Sequence, residues 1–289
     1  MKRVSRIIFL LILILNSCEV EKQGEENITE PEVFDFSDRK YTTYAEGISS
    51  NQTPAPVLLV LHGAGSSIQS MIQATNFNVI AGDAGFLVVY PEGYQALWNF
   101  GSECEMAHPE RPDDIHFIKY VLDELGKKYN IDEKRIYVTG FSMGGYFTYY
   151  LAAKMPNTFA AIAPVAATMP RYLSNIQNVK SIPVLVELGT KDSSVPYEGS
   201  GSDNCSSLSG METIKFWADI NGCDETPTTT YLPDNGIDYL QIRIDEFNNC
   251  NSPFETKLIS VEGGSHRWYN NEEINISQII FDFFGNKSL

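Results

Sequence analysis

At 289 residues and 43% hydrophobic composition, the chain can bury one large core, and its strand-like and helix-like segments alternate instead of separating into halves. A formal charge of −16 at pH 7 argues against nucleic acid as a partner, because phosphate binding needs clustered Lys and Arg. An uncharged substrate is compatible with such a surface, and solubility alone also accounts for it.

Lys2, Arg3 and Arg6 precede an unbroken apolar run over residues 7–15, the pattern of a secretory leader and too short to span a bilayer as a mature helix. The run ends in Leu15-Asn16-Ser17-Cys18, which resembles the bacterial lipobox, in which the cysteine is lipidated and becomes the new N-terminus. An ordinary signal peptide cut nearby is the alternative, and both export the protein to the cell envelope or beyond. Loss of the leader over residues 1–17 moves the formal charge from −16 to −19. Residues 18–37 are rich in Glu and poor in apolar side chains, so they are expected to be a solvated tether that holds a catalytic domain, residues 38–289, off the membrane.

Residues 39–44 alternate and are rich in Tyr and Thr, as a partly exposed first strand would be. Residues 57–61 are continuously apolar, the signature of a strand buried on both faces, and run into His62-Gly63-Ala64-Gly65. A second such strand is expected over residues 86–90, stopped by Pro91, with one crossover helix near residues 68–81 between the two. Asp113 is placed to cap a helix whose apolar positions run from Ile115 to Tyr129. Further strands are expected over residues 135–139, 160–165, 183–188 and 257–261, with helices over residues 146–155 and 274–284. Repeated β-then-α order with right-handed crossovers predicts a mostly parallel sheet covered by helices on both faces.

Apart from Cys18, the cysteines are Cys104, Cys205, Cys223 and Cys250, an even number in an exported chain. Three pairings are possible. Cys223 with Cys250 and Cys104 with Cys205 is preferred, because the first pair brackets a local excursion and the second would tie two loops near the site. Their spacing is not that of metal ligands, and no metal or cofactor is implied.

Gly140-Phe141-Ser142-Met143-Gly144 follows an apolar strand and precedes a helix, the setting in which a G-x-S-x-G sequence forms a nucleophile elbow. Serine needs a base, an orienting acid and an oxyanion site to act as a nucleophile. In open α/β sheets such groups gather beyond the carboxyl ends of strands. Asp192 follows one strand and His266 another, giving the order Ser, Asp, His used by α/β-hydrolases. Glu187 and Asp203 are the nearby competing acids. The backbone N–H groups of Ala64 and Met143 are the candidate oxyanion donors. His62 is expected to shape its loop instead of titrating, and Trp98 and Trp268 flank the expected cleft, where they could stack on a ring or serve as core.

Together these residues resemble the secreted α/β-hydrolases related to polyhydroxybutyrate depolymerases and feruloyl or acetylxylan esterases. The resemblance covers residues 39–284 and rests on Leu61-His62-Gly63-Ala64-Gly65, Tyr90-Pro91-Glu92-Gly93, the Trp98 segment and Pro112-Asp113-Asp114. It continues through residues 135–145, Gly189-Thr190-Lys191-Asp192, Val195-Pro196-Tyr197, Asn221-Gly222-Cys223 and residues 263–268. It implies an α/β-hydrolase fold and a metal-independent serine carboxylic-ester hydrolase that uses the triad named above. Relatives often carry His where this chain has Leu188, and Pro-Gly where it has Tyr269-Asn270. Polymer-degrading depolymerases usually append a linker and a binding module after the closing helix. Their lack here favours soluble esters or feruloyl and acetyl groups on polysaccharide over solid polyester. A hydroxybutyrate-oligomer depolymerase and a catalytically silent glycan- or lipid-binding protein are the competing expectations.

Overall fold

The computed structural model describes residues 36–289 except 37, 46–47, 49–52, 83, 102–113, 205, 234–235, 237–238, 252, 272–273 and 286. The expected leader, Cys18, all of the tether but Phe36, the cap Asp113, Cys104 and Cys205 lie outside the described residues. Chain contacts divide into Met1–Phe34 and Asp35–Leu289, and the second unit carries everything below.

Its nine-stranded sheet has the order β1-β3-β2-β4-β5-β6-β9-β8-β7. The six inner strands are mutually parallel: β3 (Leu87–Pro91), β2 (Ala55–Leu61), β4 (Ile131–Phe141), β5 (Ala161–Val165), β6 (Val184–Gly189) and β9 (Thr256–Glu262). β1 (Tyr41–Tyr44) closes one edge antiparallel to β3. At the other edge β8 (Gln241–Phe247) and β7 (Thr228–Tyr231) run antiparallel. Such edges are compatible with short hairpin-like connections, whereas the parallel strands need helical crossovers.

Strand alternation makes two cores. Val57, Leu59 and Leu61 face one layer with α3 (Asp114–Lys128), α4 (Met143–Lys154) and α5 (Gly210–Asn221). Leu58 and Val60 face the other with α1 (Ile68–Thr75), α2 (Phe77–Gly82) and α6 (Ile276–Phe284). Helices on both faces of this sheet make an α/β-hydrolase fold.

Three differences from the expectations have physical causes. The single crossover helix is two, because Asn76 adopts φ 53° and ends α1 as a left-handed cap before α2 begins. Pro91 ends β3 from within, where its missing N–H costs nothing to the parallel ladder on the β2 side, whose register stops at Val89. The antiparallel β7–β8 pair and α5 were not expected. β8 is a polar strand whose buried Asp245 is matched by Arg243 and Thr229, and all four residues of β7 are exposed. A signal for α5 did exist, since Ser209 and Glu212 form a reciprocal capping box. Cys223 and Cys250 are disulfide-bonded, joining the end of α5 to the end of β8 across 27 residues of sequence.

Candidate active site

Ser142 stands at the junction of β4 and α4 with φ 54° and ψ −116°, a backbone state that L-residues avoid. Its N–H donates to Val165 O at 2.9 Å, which ties the turn to the end of β5. The turn closes because its glycines have no side chain. A Cβ on Gly140 would strike the Gly144 carbonyl, one on Gly144 would lie 2.5 Å from Leu61 O, and one on Gly145 would lie 2.5 Å from Ala167 Cβ. The same crowding reaches the 62–65 loop, where a Cβ on Gly63 would be 3.4 Å from Ser142 Cβ.

His62 anchors that loop. Its Nε2 accepts the Gly93 N–H at 2.8 Å, so the ring proton sits on Nδ1, which donates to Gly63 O at 2.8 Å. Burial lowers its pKa and keeps the ring neutral, against the weaker opposing pull of the Gly63 carbonyl. Both ring nitrogens are occupied, so His62 is not available as a base. Ala64 is exposed, and among the described residues neither its N–H nor that of Met143, in the first turn of α4, donates to a protein acceptor. The Met143 side chain is buried, with Sδ accepting the Trp98 N–H at 3.3 Å.

Asp192 and His266 come together. Asp192 Oδ1 accepts the N–H groups of Ser194 and Val195, each at 2.8 Å, and Oδ2 accepts a hydrogen bond from His266 Nδ1–H at 2.6 Å. The carboxylate side chain is 1% exposed and the imidazole 20%, so one charge is buried and the ring opens to solvent. The His266 ring packs on Phe141, immediately before Ser142, with centroids 4.8 Å apart. No hydrogen bond within 3.5 Å joins the Ser142 hydroxyl to His266 among the described residues; such contacts often tighten only when substrate is bound.

The two tryptophans are placed differently. Trp98 is wholly buried, stacks on Phe147 at 5.0 Å and donates its indole N–H to His62 O at 2.8 Å. It supports the 62–65 loop from beneath, and with no exposed surface it cannot stack on a ligand, which corrects the binding role expected for it. Trp268 is partly buried, with its edge against Phe77 and its indole N–H on Ser277 Oγ at 2.8 Å.

Several supporting residues escaped sequence reasoning. Arg243 on β8 donates to the Tyr197 hydroxyl at 2.8 Å and pairs with Glu262 and Asp245, fastening the Asp192 loop to the sheet. No local pattern announces it, because the link depends on a strand whose place in the sheet only the fold reveals. Asp114, one residue beyond the expected cap, accepts from Arg39 Nη2 at 2.6 Å and from the Asn99 N–H at 2.5 Å. Among the described residues no cluster of three His, Cys, Asp or Glu could hold a metal ion.

Residues 40–219 match the model of a family described as "putative esterase". The chain belongs to that family. It is 29% identical over 224 residues to the putative esterase NocK of Nocardia uniformis, covering 74% of this chain and 65% of that one. It is 33% identical over 150 residues to the bifunctional acetylxylan esterase/xylanase XynS20E of Neocallimastix patriciarum, covering 52% and 21%. It is 27% identical over 224 residues to feruloyl esterase B of Piromyces equi, covering 73% and 39%. The chain thus spans about two-thirds or less of the length of these relatives. Among solved structures it resembles an acetyl xylan esterase from Aspergillus awamori, with TM-score 0.61, 17% identity, and coverage of 88% of this chain and 97% of that one. The feruloyl esterase module from Clostridium thermocellum is also similar, with TM-score 0.52, 14% identity, and coverage of 86% and 87%. Both likenesses carry the α/β-hydrolase fold of this esterase family member.

Proposed function

We propose that this family member is an exported serine carboxylic-ester hydrolase working through an acyl-enzyme, with Ser142 as nucleophile, His266 as base and Asp192 as its orienting acid. The observation that carries the reading is the 2.6 Å hydrogen bond from His266 Nδ1 to the buried Asp192 carboxylate, beside a serine held at φ 54°. That bond leaves Nε2 as the acceptor on the open side of the ring.

Ser142 Oγ attacks the ester carbonyl carbon while its proton passes to His266 Nε2. Asp192 stabilises the resulting imidazolium without taking the proton. The carbonyl oxygen becomes an alkoxide facing the Ala64 and Met143 N–H groups. Each such donor is worth about 10² to 10³ in turnover. Collapse expels the alcohol, which leaves with the proton from Nε2. Water then gives a proton to Nε2 and attacks the acyl carbon, and the bond to Ser142 Oγ breaks as that proton passes from Nε2 to Oγ, releasing the acid and restoring Ser142.

The substrate class follows the relatives. Feruloyl or acetyl esters on polysaccharide, or small soluble esters, are favoured by the names carried by the acetylxylan and feruloyl esterases above. Hydroxybutyrate oligomers are the second reading, favoured by 25% identity over 198 residues to a poly(3-hydroxyalkanoate) depolymerase of Paucimonas lemoignei, covering 60% of this chain and 47% of that one. A lipid on Cys18, followed by an acidic tether over residues 18–37, would hold the catalytic domain, residues 38–289, at the bacterial envelope. The second disulfide would be Cys104 with Cys205.

Ser142→Ala is expected to abolish hydrolysis of p-nitrophenyl acetate and labelling by a fluorophosphonate while the thermal transition is retained. Turnover that survives this change would overturn the assignment, and a wild-type chain that takes no label would instead be a silent binder. Methyl ferulate, acetylated xylan and hydroxybutyrate oligomers, compared by kcat/KM, separate the substrate classes.

A further inference from the structure

β6 carries a carboxylic acid for which the mechanism has no use. Val184, Val186 and Leu188 face the core layer of α5, whereas Leu185, and with it Glu187, faces the opposite layer. Glu187 is fully buried, and among the described residues neither carboxyl oxygen has a hydrogen-bond partner. The adjacent Ala166 N–H donates to the Glu187 backbone carbonyl at 2.9 Å. An unpaired carboxylate at such a place costs several kcal/mol, so the acid holds its proton.

Its position links the three parts of the site. Glu187 pairs in register with Val165, whose carbonyl receives the Ser142 N–H. Five residues further along its own chain is Asp192, whose charge faces Glu187. Tyr269, on the loop beyond β9, is buried in the same layer as Leu185, and its phenol is raised by burial first and, more weakly, by a charge on Glu187. Tyr269 Oη accepts the Ser265 N–H at 2.6 Å and donates to Ser265 O at 3.1 Å, which clamps the residue before His266. Arg267 lies over the Tyr269 ring at 5.5 Å on the exposed side.

Among the described residues no other charge is placed to compensate Glu187. β5 has no titratable residue. On β9, Lys257 pairs with Glu246 and Glu255, and Glu262 with Arg243. Asp282 of α6 is exposed and accepts from Gln278. The charged residues of α5 belong to the opposite layer.

We propose that Glu187 is a positioning residue that must stay neutral beneath the His266 loop, and that its ionisation parts this loop from β6 and separates His266 from Asp192. The loop is the part of this surround that lies beyond the regular ladder. Two main-chain bonds, Thr190 N–H to Val261 O at 3.0 Å and Lys191 N–H to Gly264 O at 2.7 Å, and the side-chain bonds of Thr190 and Tyr269 hold it, so it is the least costly place to admit water to a buried charge. Burial first, and the Asp192 charge second, push the Glu187 carboxyl up to about 8, against a weaker opposing pull of the Ala166 amide. The device therefore works at mildly alkaline pH. It rests on the catalytic reading given above.

The test compares wild type with Glu187→Gln and Glu187→Met. Hydrolysis of p-nitrophenyl acetate, corrected for the uncatalysed reaction, is followed from about pH 6 to about pH 10. Wild-type kcat/KM is expected to fall about tenfold per pH unit beyond the Glu187 titration, and both variants to lose that fall. An alkaline fall of the same size and midpoint in the variants overturns the proposal. Two measurements on wild type need no turnover and no variant. The infrared band of a protonated carboxyl is expected at neutral pH and should vanish on titration, and hydrogen exchange across residues 262–269, corrected for its intrinsic pH dependence, should accelerate over the same range. Absence of that band, or unchanged protection, overturns the proposal even if a variant does not fold. If Ser142→Ala retains hydrolysis, the catalytic reading fails, while the infrared and exchange results still decide the behaviour of Glu187.

Discussion

The serine side of the site and the histidine side are held by different forces. Around Ser142 the main chain is wedged, with Gly140, Gly144 and Gly145 in places where a methyl group would meet backbone or Ala167. Around His266 the main chain is also close, since a Cβ on Gly189 would lie 2.5 Å from Gly264 O and Lys191 N–H donates to Gly264 O at 2.7 Å. The imidazole itself, however, is placed by side-chain hydrogen bonds, from its Nδ1 to Asp192 and from the Ser265 N–H to the Tyr269 hydroxyl. Steric wedging fails all at once, whereas hydrogen bonds can be removed one at a time. The first side should behave as part of the fold and the second as a tunable attachment.

Substitutions can break this comparison. After Ser142→Ala, the largest effect on rate alone is expected from Asp192→Asn, which keeps the shape but spoils the tautomer of His266 and should lower kcat by about 10⁴ with little change in the thermal transition. Gly144→Ala should lower both activity and stability, because its Cβ would meet Leu61 O at 2.5 Å and the backbone must move; unfolding in urea would register a loss of several kcal/mol. If Gly144→Ala kept full stability, the idea of a wedged serine side would fail.

Removing the Cys223–Cys250 bridge, 27 residues apart and distant from both sides of the site, should cost about 3 kcal/mol of stability with kcat unchanged, and serves as the structural control. Tyr269→Phe deletes both bonds to Ser265 and should cost about 1 kcal/mol while lowering kcat more than it raises KM.

Two buried groups outside the proposed triad, His62 and Glu187, sharpen the contrast further through pH, with opposite signs. His62 is lowered in the fold, so its contribution is present above the unfolded value of about 6.5 and is lost as pH falls through the folded one. Glu187 is raised, so its contribution is fully present below the unfolded value of about 4.5 and is lost as pH rises through about 8. Urea midpoints across pH should therefore lose their acid dependence in His62→Gln and their neutral-to-alkaline dependence in Glu187→Gln.

The parallel strands and the elbow were legible because their physics is local. A run such as residues 57–61 has no exposed face to explain, and G-x-S-x-G after a strand allows few other backbones. Asp192 and His266 were singled out by their positions after strands, where catalytic groups collect, and the structure joins them by a hydrogen bond. Trp98 was misplaced because an indole near a site reads alike whether it touches substrate or backs a loop; its bond to the His62 carbonyl decides, and no spacing encodes that. β8 and β7 stayed hidden for a related reason. Asp245 and Arg243 look like surface residues until each is seen to satisfy the other.

Ala64 combines two properties that seldom coincide. Its amide hydrogen belongs to the rigid frame fixed by His62, while its methyl group points into open surroundings. On the proposed reading of the Ala64 N–H as an oxyanion donor, chemistry and recognition are thereby uncoupled at a single position. Libraries varied at residue 64 could reshape which acyl or alcohol group is admitted while the anion-binding frame keeps its form, giving a place to retune selectivity without retuning the reaction.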